Sequence, residues 1–385
     1  MSFFGSISFF LLLILVFIPA IVLGFTGRSL QGYRTAVSIL IIGVVFWPDK
    51  IHLAYLIAFY LLEFFLIKLY LKLRLSQGEN RNTAIYRSFL FLVILPLILC
   101  KISEIAGGAS FSLFQFLGIS YLTFRAAQII IETYDGIIRE VKWLDFTDFL
   151  LLFSTFSCGP IDRSRRYLED GKKRYTREEY LDLLGNGILK FLIGVLYKFV
   201  LAALVHRGVG FFQDPQSFLE YVGYSYCYGI YLFFDFAGYS LMAIGSGYLF
   251  GVRVPENFKR PFASVDMKDF WNRWHMTLSF WFRDFLFSRF MMLAIKGKWF
   301  TSRLTGASIG FILNMAVMGA WHGLTANYLL YGLYHGVLLA LTEIYQKKSG
   351  FYKRNKKKIW YRTLSWLVTI NLIMFGFLLF SGALI

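Results

Sequence analysis

Apolar runs of membrane-spanning length recur along almost the whole of this chain, and they restrict its fold more than any other feature. Residues 3–25, 51–73, 180–205 and 218–250 are four of them. Roughly 18 to 25 mostly apolar residues let a helix cross about 30 Å of hydrocarbon. Inside lipid every backbone N–H and C=O needs a partner within the protein, so only helices and closed barrels cross. A barrel would alternate apolar and polar residues in segments of about ten, whereas these runs are continuous. The composition agrees: 57% hydrophobic, 20% aromatic and 16% charged. The chain is therefore expected to be an all-α polytopic membrane protein with a single integral-membrane domain over residues 1–385. Roughly ten to twelve membrane helices, with a re-entrant or interfacial helix besides, would accommodate these runs. No internal repeat and no long hydrophilic stretch divides it.

A net charge of +17 would suggest nucleic acid if the protein were soluble. Here Lys and Arg cluster in loops between apolar runs, as cytoplasmic loops do, and no nucleic-acid partner is expected. An acidic cytoplasmic partner steered by the basic surface is the second reading. Arg28 and Arg34 make the first loop cytoplasmic and place the N-terminus outside. The Lys72–Arg87 loop, the 161–179 loop, the turn holding Lys296, Lys298 and Arg303, and Lys347–Arg362 fall on the cytoplasmic side by the same rule. Ser2–Phe25 has no basic leader and no small-residue cleavage site, so it reads as a retained first helix. Cys100, Cys158 and Cys227 lie in or beside apolar segments without metal spacing and read as small buried hydrophobes.

Polar residues inside such a chain point to function, because they are rare at bilayer depth. Trp271–Arg289, WNRWHMTLSFWFRDFLFSR, keeps Arg273, His275, Arg283, Asp284 and Arg289 among Trp and Phe. It is too polar for a lipid-facing span and too aromatic for a solvated helix, so a re-entrant or interfacial helix is expected. Met318–Thr325, MGAWHGLT, answers it with a second histidine beside tryptophan. Two further positions need partners. Arg125, in the expected Phe111–Ile131 span, either snorkels to an interface or walls a polar cavity. Asp235, between Phe234 and Phe236, has to pair or be protonated.

Of the five histidines, His52 and His206 read as interfacial. His335 follows His322 by thirteen residues. On one helix that is about 20 Å along the axis and near the opposite face, so His335 reads as structural. His322 sits where two spans meet, with Gly323 allowing close approach of backbone and substrate. This junction falls toward the outer half of the membrane, and the His275 helix adjoins the cytoplasmic side. A neutral imidazole can take a proton from a hydroxyl near neutral pH, which suits acyl transfer. For either histidine a satisfied buried side chain is the competing reading. No G-x-S-x-G follows a strand. No H-E-x-x-H is present, and no metal is expected. Without a protein nucleophile, direct attack of a substrate hydroxyl on an activated acyl donor is the simplest chemistry.

A polar-aromatic stretch with one histidine, then an apolar W-H-G segment with a second, resembles the shared core of the membrane-bound O-acyltransferase (MBOAT) superfamily. The two are WNRWHMTLSFWFRDF, with His275, and MGAWHG, with His322. Within the superfamily the chain is most similar to the teichoic acid D-alanylation (DltB) type. FLGISYLTFR (116–125), CGPIDR (158–163), FFDFAGYS (233–240), PENFKRPF (255–262) and DMKDFWNRWHMTLSFWFRDF (266–285) carry that likeness. It spans about Phe111–His335 and extends loosely to both ends.

The resemblance implies an MBOAT fold around a central funnel, with His322 at its base, in the cell membrane of a Gram-positive bacterium. An acidic carrier protein of the DltC type would present D-alanine as a thioester on its phosphopantetheine arm. A partner of the DltD type and the teichoic acid acceptor would lie on the outer side. His322 would be general base on the acceptor hydroxyl, and His275 would orient or polarise the donor. Asn272, Arg273, Trp274, Arg283, Asp284, Asn314 and Trp321 are candidates for the channel wall or for support of the two histidines. For these a structural hydrogen bond or ion pair is the competing reading. Lys296, Lys298 and Arg303 are the candidate carrier-docking residues. No cofactor is expected on the chain itself. Two rival functions stay open: O-acetylation of an exported polysaccharide, whose alginate-type enzymes share the W-H-G and F-R-D elements, and transport or flipping. Intramembrane charges favour transport, and the missing inverted repeat opposes it.

Overall fold

The structure is a computed structural model describing residues 2–78, 80–106 and 115–384. The start of the expected Phe111–Ile131 span lies outside the described residues, and the remainder is helical from Ile119. All regular structure among the described residues is helical. In chain order come α1 (Ile7–Phe25), α2 (Gln31–Phe46), α3 (Lys50–Ser76), α4 (Thr83–Ala106), α5 (Ile119–Asp135), α6 (Trp143–Leu150), α7 (Ser164–Gly171) and α8 (Arg177–Val195). After a π turn at Leu196–Leu201 follow α9 (Ala202–Phe211), α10 (Phe218–Leu249), α11 (Met267–Trp271) and α12 (Met276–Phe282). A second π turn at Arg283–Phe287 leads to α13 (Ser288–Lys296), α14 (Arg303–His322), α15 (Ala326–Lys348), α16 (Gly350–Asn355) and α17 (Ile359–Ser381).

Seven helices among the described residues are long and apolar enough to cross a membrane: α1, α3, α4, the continuous 177–211 helix, α10, α14 and α17. The number is below the ten to twelve expected because several apolar runs form shorter or more polar helices. Helix α2 has 16 residues and α5 has 17. Helix α15 has the length but carries His335, Glu343 and Gln346. The polar-aromatic stretch, expected as one helix, is divided into α11, α12, the π turn and α13.

The chain forms two compact units, residues 1–195 with 239–255, and residues 196–238 with 256–385. In the first, α2 is fastened by Arg34, which is fully buried. Its Nε donates to Asp148 Oδ1 at 2.9 Å and its other arm to Asp148 Oδ2. It also donates to the carbonyls of Phe250 at 2.9 Å and Gly171 at 3.3 Å. Arg125 takes neither place that the sequence offered. It is buried and donates to the carbonyl oxygens of Phe149, Leu150 and Thr155 at 2.7–3.0 Å. Helix α6 ends at Leu150, and the last carbonyls of a helix have no intrahelical partner. One guanidinium satisfies them and the short 3₁₀ turn at Phe153–Thr155, so an irregular segment can run among apolar helices.

In the second unit α14 and α15 form a tight hairpin. A Cβ on Gly319 would lie 2.5 Å from the Tyr328 carbonyl oxygen and 3.0 Å from Gly332 Cα. Small residues at such a crossing let backbones approach where no hydrophobic effect drives helices together. Asp235 finds its partner here: Lys198, in the π turn, reaches it at 2.5 Å.

The Arg34–Asp148 pair yields a stability prediction. Arg34→Met leaves Asp148 buried without its cation and should cost about 3–5 kcal/mol, whereas Arg34→Met with Asp148→Leu should recover most of that. Thermal unfolding of the detergent-solubilised variants measures both. Equal losses in single and double variants would mean that removing the pair's packing, and not stranding a charge, is the damage.

Candidate active site

The site residues of the second unit are positioned by a break in the helix and by a helix end. The break is at His275. It opens α12 from the left-handed region, with φ 43 and ψ 51. A residue with a side chain adopts that conformation only when its surroundings over-determine it. Here they do. The Lys259 N–H donates to the Arg273 carbonyl at 2.9 Å, and the Met276 N–H donates to the Asn257 carbonyl at 2.8 Å. Thr277 Oγ1 donates to Asn257 Oδ1 at 2.6 Å. Between them Trp274 is packed against Phe258, Phe270 and Phe377, with ring centroids 4.9–5.7 Å apart. His275 is left 4% exposed, with its ring edge-on to Phe236 at 4.6 Å and its Nε2 without a hydrogen-bond partner.

His322 is the last residue of α14 and is partly exposed. Gly323 then runs extended and lets the chain turn into α15. The imidazole stands 4.5 Å from the Trp321 ring and 5.1 Å from Phe380, with Tyr328 and Tyr331 beyond at 6.1 and 6.2 Å. The C-terminal end of a helix carries partial negative charge and favours a cation, so a proton arriving on His322 is stabilised there. His275 and His322 are near enough to act on each other electrostatically.

A cavity of about 310 Å³ lies beside these elements in the same unit. Trp271, Asn272, Arg283, Asn314, Met315 and Met318 are among its lining residues. Two of its buried polar atoms have no hydrogen-bond partner, the Trp271 Nε1 donor and the Asn314 Oδ1 acceptor. Asn314 is only 8% exposed. Unpaired polar atoms in an apolar wall are costly unless a ligand or water meets them, and a few such groups give a pocket its selectivity. Asn314, Met318 and His322 fall four residues apart on one face of α14, so the cavity wall ends about one helical turn from His322.

The sequence-predicted residues thus divide. Asn272, Arg283 and Asn314 share the cavity, while Trp321 packs beside His322 and Trp274 is anchored among phenylalanines just before His275. Arg273 turns away and pairs with Asp269 at 2.7 Å. Arg283 pairs with Asp284 at 2.9 Å and lies over the Phe280 ring. Lys296, Lys298 and Arg303 sit apart, exposed on the α13–α14 connection beside exposed Met292, Leu293, Ile295 and Trp299. Trp271 and Met318 are additions to the predicted set. The four-residue spacing from His322 could have signalled Met318, but nothing in the sequence marks Trp271 apart from its neighbours.

His335 and His322 stand on different helices, contrary to the single-helix spacing expected from the sequence. Helix α14 stops at His322 and α15 starts at Ala326, so the chain doubles back and the two histidines do not lie on one straight helix. Tyr331 stands between them, 6.2 Å from His322 and 4.5 Å from His335. His335 is fully buried against Phe270, Trp271 and Tyr334, and neither ring nitrogen has a hydrogen-bond partner.

Thr277→Val should lower stability by about 1–3 kcal/mol, because it strips a buried hydrogen bond from Asn257 and loosens the His275 turn. The melting temperature in detergent reads this. An unchanged value would show that the backbone bonds at residues 257–259 hold the turn without it.

The sequence model of the MBOAT, membrane-bound O-acyltransferase family, matches residues 51–382. The chain is 40% identical to "Teichoic acid D-alanyltransferase" of Bacillus subtilis (strain 168), over 98% of each chain. It is 38% identical to the protein of the same name from Streptococcus thermophilus, over 99% of this chain and 95% of that one. A "Probable alginate O-acetylase AlgI" of Pseudomonas syringae pv. tomato is 32% identical, over 69% of this chain and 49% of its own length.

Proposed function

The chain belongs to the membrane-bound O-acyltransferase family, and we propose that it transfers D-alanine from a thioester donor to a hydroxyl, toward D-alanylation of teichoic acid. The observation that carries the reading is the placement of His322 at a helix end, in electrostatic reach of His275 and one turn from a cavity with unpaired polar atoms. The near-complete overlap with proteins named teichoic acid D-alanyltransferase supports D-alanyl over acetyl transfer.

The donor is D-alanine in thioester linkage to the phosphopantetheine arm of an acidic carrier protein on the cytoplasmic side. The arm occupies the cavity lined by Asn314 and Trp271, whose unpaired acceptor and donor suit the amides of such a chain. His322 takes the proton of the acceptor hydroxyl as its oxygen attacks the thioester carbonyl. The C–O bond forms, the C–S bond breaks, and the departing thiolate recovers the proton from the imidazolium. The end of α14 favours that imidazolium by about 0.3–1 kcal/mol. His275, with its proton on Nε2, polarises the carbonyl. The acceptor arrives from outside, carried by a teichoic acid or by an outward-facing partner that relays the group. The chain lies in the cell membrane with its N-terminus outside. Lys296, Lys298 and Arg303, with the exposed apolar residues beside them, receive the carrier.

His322→Ala should lower reconstituted D-alanyl transfer by about two to four orders of magnitude while leaving carrier binding intact. Transfer near the wild-type rate would remove His322 from the chemistry. Supplying acetyl and D-alanyl carriers side by side separates the two transferases, with turnover of only the acetyl donor refuting D-alanylation. Reversal of Lys296, Lys298 and Arg303 to Glu should weaken carrier binding about tenfold or more, and the difference should shrink as salt rises. Carrier affinity indifferent to both the reversal and salt would place docking elsewhere.

A further inference from the structure

We propose that the cavity between α15, α16 and the first half of α17 holds an anionic phospholipid by its phosphate, with an acyl chain laid along α17. This stands whatever group the active site transfers. The cavity measures about 360 Å³ and lies within the second unit. It borders the start of α17, one of the helices able to cross a membrane. Trp360 and Trp366 are exposed on its first two turns, and exposed tryptophans concentrate at headgroup level. The preceding stretch, Lys347–Arg362, has Lys or Arg at eight of its sixteen positions and no acidic residue. Basic clusters next to a span attract anionic lipid, and basic pockets between helices bind phosphorylated headgroups.

The lining separates into a polar end and an apolar wall. Lys356 and Arg362 line the polar end, and neither has a carboxylate partner among the described residues. Tyr345, Tyr352 and Tyr361 line it too, and the Tyr361 hydroxyl donates to that of Tyr345 at 3.2 Å. The acidic residue on the wall, Asp266, is already committed. It caps α11 by accepting from the Asp269 N–H at 2.8 Å, and it accepts from Gln346 Nε2 at 2.9 Å. Its oxygens are thus turned to donors on α11 and α15, and its single charge is outnumbered by Lys356 and Arg362. Below the cations, Leu364, Val368 and Leu372 follow one another at four-residue spacing on one face of α17 and line the same cavity. Leu364 and Val368 are each 52% exposed, so this wall opens outward. A free phosphate would use only the cations, and a soluble acidic protein would leave the leucine and valine stripe uncovered. A phospholipid uses both.

The test is native mass spectrometry of the full-length protein in detergent, titrated with phosphatidylglycerol or phosphatidylcholine. Wild type should retain phosphatidylglycerol at least tenfold more tightly than phosphatidylcholine. Lys356→Ala with Arg362→Ala should weaken phosphatidylglycerol about thirtyfold, the worth of two interfacial cations. Lys347→Ala with Lys353→Ala removes the same charge outside the cavity and should have little effect. Both cations of the first pair are exposed, so its lipid-free melting temperature should match wild type. Three results would overturn the proposal: equal retention of the two lipids, equal losses in the two double variants, or displacement of the lipid by millimolar inorganic phosphate.

Discussion

Irregular backbone inside an apolar protein has to find its hydrogen bonds within the chain, and much of this structure follows from that requirement. Water cannot satisfy a buried carbonyl among membrane helices, and each orphan costs about 1–3 kcal/mol or more. Arg125 answers it in the first unit by gathering the carbonyls that α6 leaves open. Arg34 does likewise for the carbonyls of Phe250 and Gly171 while neutralising Asp148. In the second unit the turn at His275 is held by backbone groups. The irregular chain at residues 257–259 exchanges backbone hydrogen bonds with residues 273–276, and that pairing fixes the left-handed turn at His275.

Side chains are held to the rule less strictly than backbone. Buried polar atoms without partners occur at the candidate site and also away from it, at Glu63 and Tyr70 for example. Asn314 Oδ1, Trp271 Nε1 and His275 Nε2 are buried without partners, and two of these residues line one cavity. What sets Asn314 and Trp271 apart from the other unpaired groups is that they face open space which a ligand could enter. His335 shows that an orphan nitrogen alone is not a site. Its ring has both nitrogens unpaired where His275 has one, but it is sealed under aromatic rings and does not line the cavity beside α14. His322 differs from both in being partly exposed and placed where a helix dipole favours its protonated form.

The positive charge is also differentiated. Some cations are structural and paired, such as Arg34, Lys198, Lys268 and Arg273. Others stand exposed beside apolar surface, on the α13–α14 connection and ahead of α17. Screening by salt weakens the exposed group more than the paired one, and Arg34, fully buried, least of all. The two groups therefore answer differently to ionic strength, although the net charge counts them alike.

The sequence by itself determined the helical membrane class, because apolar runs of that length have no other stable solution in lipid. It also marked His275 and His322, since imidazoles flanked by tryptophan stand out in such a chain, and it required Asp235 either to pair or to be protonated, without naming Lys198. It did not divide the polar-aromatic stretch into short helices, nor place Trp271 in the cavity wall, nor turn Arg273 onto Asp269. It offered Arg125 two fates and the fold chose a third. Those outcomes depend on which carbonyl, ring or carboxylate arrives from a distant segment. Local period and composition fix what a segment must bury. Only packing decides which distant group satisfies it.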